Sequence, residues 1–65
     1  MQIMLNGERR QITGPTVADV LAEIDLASAR VATALNGEFL PATARAATVL
    51  TEGDALEVLS SMQGG

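Results

Sequence analysis

The 65-residue chain has no cysteine, no histidine and no lysine, and its single aromatic residue is Phe39. Each gap removes a class of chemistry. Without Cys there is neither a disulfide nor a thiolate zinc site. Without His the commonest neutral-pH acid, base and metal ligand is missing. The same two absences exclude a Ser-His or Cys-His nucleophilic pair. Without Lys, only the amino terminus offers an amine that an activated acyl group would modify. No apolar run approaches the roughly 20 residues of a membrane helix, and the opening MQIMLNGERR lacks the apolar stretch of a signal peptide. The expectation is a soluble, cytoplasmic protein.

Length sets the next bound. A chain of this size buries only about 60% of the surface its unfolded form exposes, which allows one thin core and no deep pocket. That argues against a self-contained enzyme. Eight acids against four arginines leave a net charge of −4, which repels phosphate backbones and favours basic protein surfaces. Nucleic acid is therefore not an expected partner. The acids Glu38, Glu52, Asp54 and Glu57 face Arg45 alone in residues 33–65, so a basic partner is expected nearer the C-terminal half.

Residues 2–6, QIMLN, put Ile3 and Leu5 on one side and Gln2, Met4 and Asn6 on the other, the period-two pattern of a half-buried strand. Asn6-Gly7 is a hairpin signal, because both residues tolerate positive φ. RRQIT (9–13) then reads as a polar returning edge strand, broken by Gly14-Pro15. Thr16 with Asp19 resembles a capping box, and Val17, Val20, Leu21 and Ile24 recur at helical spacing. A short amphipathic helix over about 17–25 follows. VATAL (31–35) reads as a third strand, ended by a second Asn-Gly. Glu38-Phe39-Leu40 continues to Pro41, ATARA (42–46) is a helix-prone turn, and 48–50 reads as a further short strand. Glu52-Gly53-Asp54 turns the chain into a last strand, ALEVL (55–59).

The order is ββαβ(β)β. A last strand apolar enough to lie inside a sheet pairs parallel to strand 1 through the long middle crossover. The expected fold is thus α+β, a β-grasp of four or five mixed strands packed on one helix. Residues 1–59 form that domain and 60–65 a flexible tail.

Few residues offer chemistry. Asp19, Glu23 and Asp25 fall on or after the exposed side of the helix, where charges are usually only solvated, and the glycines at 7, 14, 37 and 53 form no phosphate-binding loop. No metal site or bound cofactor is expected. The ending SSMQGG is different. Two terminal glycines arise by chance in roughly one chain in two hundred, and expression vectors leave Gly-rich scars. Yet a tail without Cβ atoms also threads a narrow channel, and its carboxylate becomes a good acyl donor once adenylated. Met4 and Leu59 both face away from the core side of their strands. If strands 1 and 5 are neighbours, the two form one exposed patch beside the root of the tail, with Met62 on the tail itself, suited to partner docking.

The whole chain resembles the ThiS family of sulfur carrier proteins, small ubiquitin-like β-grasp proteins of thiamine biosynthesis. The resemblance rests on MQIMLNG, the TVADVLAEI helix, VATALNGEFLP, TEGDALEVL and the terminal QGG. One departure is Ala42, where the family often has a basic residue after the proline; Arg45 is the nearby candidate to replace it. The resemblance implies that an E1-like adenylyltransferase of the ThiF type, using ATP and magnesium, adenylates Gly65. A sulfide or persulfide donor would then produce a C-terminal thiocarboxylate for a thiazole synthase of the ThiG type. Gly64 would provide clearance, and the free protein would be a monomer. Three alternatives stay open. A MoaD-type carrier, the small subunit of molybdopterin synthase, or a carrier for another sulfur pathway would share the tail chemistry. A ubiquitin-like modifier would form lysine adducts. A non-covalent β-grasp binding module would not need its glycines.

Overall fold

The computed structural model describes residues 1–26 and 30–60. Its strands are β1 (Gln2–Leu5), β2 (Glu8–Gln11), β3 (Val31–Leu35), β4 (Glu38–Leu40) and β5 (Ala55–Ser60); α1 spans Val17–Glu23 and a 3₁₀ helix spans Ala42–Ala47. The five strands form one sheet in the order β2-β1-β5-β3-β4. β1 and β5 run parallel at its centre, and the other pairs are antiparallel. This is the β-grasp arrangement expected from the sequence, including the central parallel pair.

Two hairpins frame it. Asn6 and Gly7 have φ 51° and 83°, and Asn36 and Gly37 have φ 51° and 87°. With Leu5 opposite Glu8 and Leu35 opposite Glu38, both loops are two residues long. Two consecutive positive φ values in such a loop match the right-handed twist of the strands.

Helix α1 starts where the sequence says it should. The Asp19 N–H donates to Thr16 Oγ1 at 3.1 Å, and the Thr16 N–H donates to Asp19 Oδ2 at 3.1 Å. Both halves of the capping box are made, with Asp in place of the usual Glu. The helix ends at Glu23 rather than 25: Asp25 takes φ 64°, a left-handed conformation that a right-handed helix cannot contain. Val17, Val20 and Leu21 meet Ile3, Ile12, Leu50, Leu56 and Val58 in one core. Burying each of these side chains contributes about 1.5–3 kcal/mol.

Several boundaries differ from the sequence reading. β1 stops at Leu5, β2 covers Glu8–Gln11 instead of 9–13, and β5 takes in Ser60. Ile12 leaves the polar edge strand and is fully buried; its N–H donates to Met1 O at 2.8 Å. Residues 48–50 form no strand. They contribute one bridge, Thr16 to Val49, with the Leu50 N–H donating to Pro15 O at 2.8 Å. That bridge ties the entrance of α1 to the end of the 3₁₀ helix. No helix among the described residues is long and apolar enough to cross a membrane.

Candidate functional site at the outer sheet face and the end of strand five

Strand β5 leads into the C-terminal residues, so its environment defines the site. Leu56 and Val58 point into the core, and Leu59 points outward and is 65% exposed. Register places Leu59 opposite Ala32, Glu57 opposite Ala34, and Ala34 opposite Phe39. Leu59, Ala32, Ala34 and Phe39 therefore share the outer face of three adjacent strands. Phe39 is 73% exposed. Two large apolar groups stand on a floor of two alanines, with the Glu57 carboxylate beside them. The sequence reading missed Phe39. Its position between Glu38 and Leu40 in a three-residue strand was too short for alternation to assign a face.

Met4 does not join this surface. It is half-buried, opposite Ala55 on one side and Arg9 on the other. Leu59 lies four residues further along β5, about 13 Å away along the strand direction. The single Met4–Leu59 patch expected from parity is thus divided by register, although both strands and both faces were read correctly. Met4 instead helps line a hollow of about 110 Å³ with Gln2, Ile3, Arg9, Glu52 and Gly53. Met62, Gly64 and Gly65 lie outside the described residues.

Arg45 is spent internally. Its Nε donates to Thr33 Oγ1 at 3.0 Å and a terminal nitrogen donates to Val31 O at 2.7 Å. Thr33, 1% exposed, passes its own hydroxyl proton toward Leu40 O at 2.8 Å. The guanidinium thereby fastens the 3₁₀ helix to β3. Arg45 lines a groove of about 300 Å³ with Ala18, Leu21, Ala42 and Ala46, but it is not a free basic group standing in for the one absent at Ala42.

The helix acids also do more than face solvent. Asp19 closes the capping box, and Glu23 Oε2 accepts from the Gly14 N–H at 2.7 Å, the Thr13 hydroxyl at 2.9 Å and the Thr13 N–H at 3.1 Å. The Gly14 bond first, and the Thr13 hydroxyl next, hold the Glu23 carboxyl below its ordinary pKa. Asp54 is held low in the same way, by the Thr51 N–H and then by the Asn36 side chain. These carboxylates are structural anchors. Among the described residues, no group of three or more acids could hold a metal ion.

A five-stranded mixed sheet with a central parallel β1-β5 pair, packed on one helix, is a β-grasp domain of the ubiquitin-like class. The model of the ThiS family matches residues 3–65. The sulfur carrier protein ThiS of Thermus thermophilus is 38% identical over 63 residues, covering 97% of this chain and 98% of that protein. A crystal structure of the thiamine biosynthesis protein ThiS from Geobacter metallireducens superposes with a TM-score of 0.83 at 36% identity, covering both chains fully. A thiazole synthase of Paramagnetospirillum magneticum is 33% identical over the whole of this chain, which spans only 20% of that protein. The chain belongs to the ThiS family. It is a sulfur carrier of thiamine biosynthesis.

Proposed function

We propose that the Gly65 carboxylate is the group that carries sulfur. In the first step a carboxylate oxygen attacks the α-phosphorus of ATP, pyrophosphate leaves, and an acyl adenylate forms. Hydrogen sulfide ion then attacks the acyl carbon and displaces AMP, which leaves the thiocarboxylate after loss of a proton. With an enzyme persulfide as donor, the terminal sulfur forms an acyl disulfide instead, and a thiol reductant cleaves it to thiocarboxylate and a mixed disulfide. ATP and magnesium belong to the activating enzyme, an adenylyltransferase of the ThiF type. Gly64 leaves the reacting carbonyl unencumbered in that enzyme's channel. The recipient is a thiazole synthase of the ThiG type, and the chemistry takes place in the cytoplasm.

The observation that carries this reading is a family match that runs through Gly65 in a chain without Cys, His or Lys. No side chain competes as the sulfur-bearing group. The thiazole synthase relative, which contains a segment similar to this entire chain, supports the choice of recipient.

Partner contact falls to the outer face around Leu59, with Met4 and Met62 as further contacts. Leu59→Ser is expected to raise KM for the carrier in the adenylation reaction and leave kcat within about twofold, because it weakens docking without touching the tail.

The test of the central claim is intact mass spectrometry after incubation with ATP, magnesium, a cognate ThiF-type enzyme and sulfide. Replacement of one terminal oxygen by sulfur, abolished by deleting Gly65, is the expected result. An unchanged mass with an enzyme active on its own carrier would overturn the reading, and lysine adducts on other proteins would identify a modifier instead.

A further inference from the structure

Strand β5 outruns β1. The last residue of β1, Leu5, lies opposite Leu56, while β5 continues to Ser60 with β3 still beside it. The Asp54 and Leu56 carbonyls accept from the Met4 and Asn6 N–H groups at 2.8 and 2.9 Å, so alternate residues of β5 face β1. Val58 is the next to do so, and β1 has ended before reaching it. The Asn6 side chain fills the gap: Oδ1 accepts from the Val58 N–H at 2.7 Å, and Nδ2 donates to Val58 O at 3.1 Å. A primary amide carries the same donor and acceptor as a peptide group. Asn6 therefore acts as one more rung of the parallel ladder.

We infer that Asn6 is a positioning residue for the tail. By holding Val58 on the edge that β1 no longer covers, it fixes the direction in which β5 leaves the sheet, and so where Gly65 arrives when the body is docked. The inference rests on the proposed role of Gly65. Gly65 lies seven residues beyond Val58 and nine beyond Leu56. Without the clamp, the segment held on both edges ends at Leu56. Beyond Leu56 the strand would then be held by β3 alone, through Ser60, so the tail gains no length. The effect is loss of direction, since a strand end gripped on one edge only must be ordered again whenever the tail is threaded.

The second hairpin supplies an internal control. Asn36 occupies the same place in its own two-residue loop, and its Oδ1 accepts from the Ala55 N–H at 2.9 Å while its N–H donates to Ala55 O at 2.7 Å. It grips the same strand from the opposite edge, at the end remote from the tail. Asn6→Gly and Asn36→Gly each remove a side-chain grip and keep a residue that tolerates positive φ.

The experiment is steady-state adenylation of the full chain by a cognate ThiF-type enzyme, with carrier concentration varied, alongside amide exchange at Val58. For Asn6→Gly, kcat should fall about three- to tenfold, on the order of one hydrogen bond's net worth. KM should stay within about twofold, and Val58 protection should drop. Asn36→Gly should leave both constants within about twofold. Asn6→Asp keeps the acceptor and loses the donor, so its kcat should lie between; it serves as the test if Asn6→Gly fails to fold. An unchanged kcat in a variant whose Val58 amide has lost protection would overturn the inference, as would equal losses in the two glycine variants. Wild-type chain that shows no ATP-dependent turnover would instead overturn the role of Gly65.

Discussion

Gly14 has an ordinary φ, and its need for glycine is steric. A Cβ built there would fall on Asp19 Cβ, with Asp19 Cγ at 2.8 Å and Oδ2 at 3.1 Å. Neither partner is free to retreat. Asp19 is locked by both bonds of the capping box, and the Gly14 N–H is held by Glu23 Oε2 at 2.7 Å. Gly14→Ala must therefore either overpack the corner, at about 1–3 kcal/mol, or push Asp19 away and lose the cap, at about 1 kcal/mol. The restricted unfolded chain returns about 0.4–1 kcal/mol. The net expectation is a loss of about 1 kcal/mol, which lowers the thermal midpoint of a domain this size by about 4–8 °C. The decisive assay is a double-mutant cycle with Asp19→Gly, read by urea unfolding. Asp19→Ala would not serve, because its own Cβ remains in the collision. In the Asp19→Gly background, Gly14→Ala should become neutral or slightly stabilising, a coupling of about 1–2 kcal/mol. The same cost in both backgrounds would refute the reasoning.

Gly37→Ala probes the opposite cause. Nothing lies within 4 Å of the added Cβ, and φ is +87°, so the expected loss of about 1 kcal/mol in urea unfolding is conformational alone. Arg45→Ala should cost about 2 kcal/mol in the same assay through the lost bonds to Thr33 and Val31, and Arg45→Lys should restore less than half, since one ammonium cannot span the fork. Glu23 and Asp54 have folded pKa values below their ordinary ones, so the unfolded chain binds protons first on acidification. Their stabilisation is complete above the ordinary carboxylate range and lost as pH falls through the depressed folded values; thermal midpoints of Glu23→Gln should vary less with pH than those of wild type between about pH 5 and pH 2.

The sequence signals that survived were those written in short-range periodicity or turn chemistry. Ile3, Leu56 and Val58 showed their faces by alternation, Val17, Val20 and Leu21 by helical spacing, and both Asn-Gly loops by φ tolerance. The central parallel pair followed from connection rules, since an apolar last strand needed a buried place. The failures share a cause as well. Ile12 looked like part of a polar edge because its neighbours are polar, yet the ladder ends at Gln11 and Ile12 turns under the sheet. Residues 48–50 have strand composition, but Pro15–Val17 offers them only a single bridge. Parity placed Met4 and Leu59 on the outer face, but parity carries no information about register, and register keeps them apart.

The two asparagines show most clearly what a local reading leaves out. Asn-Gly, Asp-Gly and Gly-Gly all satisfy a two-residue hairpin, so the turn alone does not explain why Asn stands first in both. Only Asn among them offers a donor and an acceptor on one planar group, and both asparagines use the acceptor on a β5 N–H. At Asn6 the donor also returns to the same residue of β5; at Asn36 it goes to the Asp54 carboxylate, Nδ2 to Oδ1 at 3.1 Å. The partners of Asn6 lie 52 residues away, beyond the reach of any periodicity argument. The turn signal and the β5 grip are carried by one side chain. Aspartate at position 6 would keep the turn while giving up half of the grip, which makes strand β5, rather than the hairpin, the element that distinguishes the two residues.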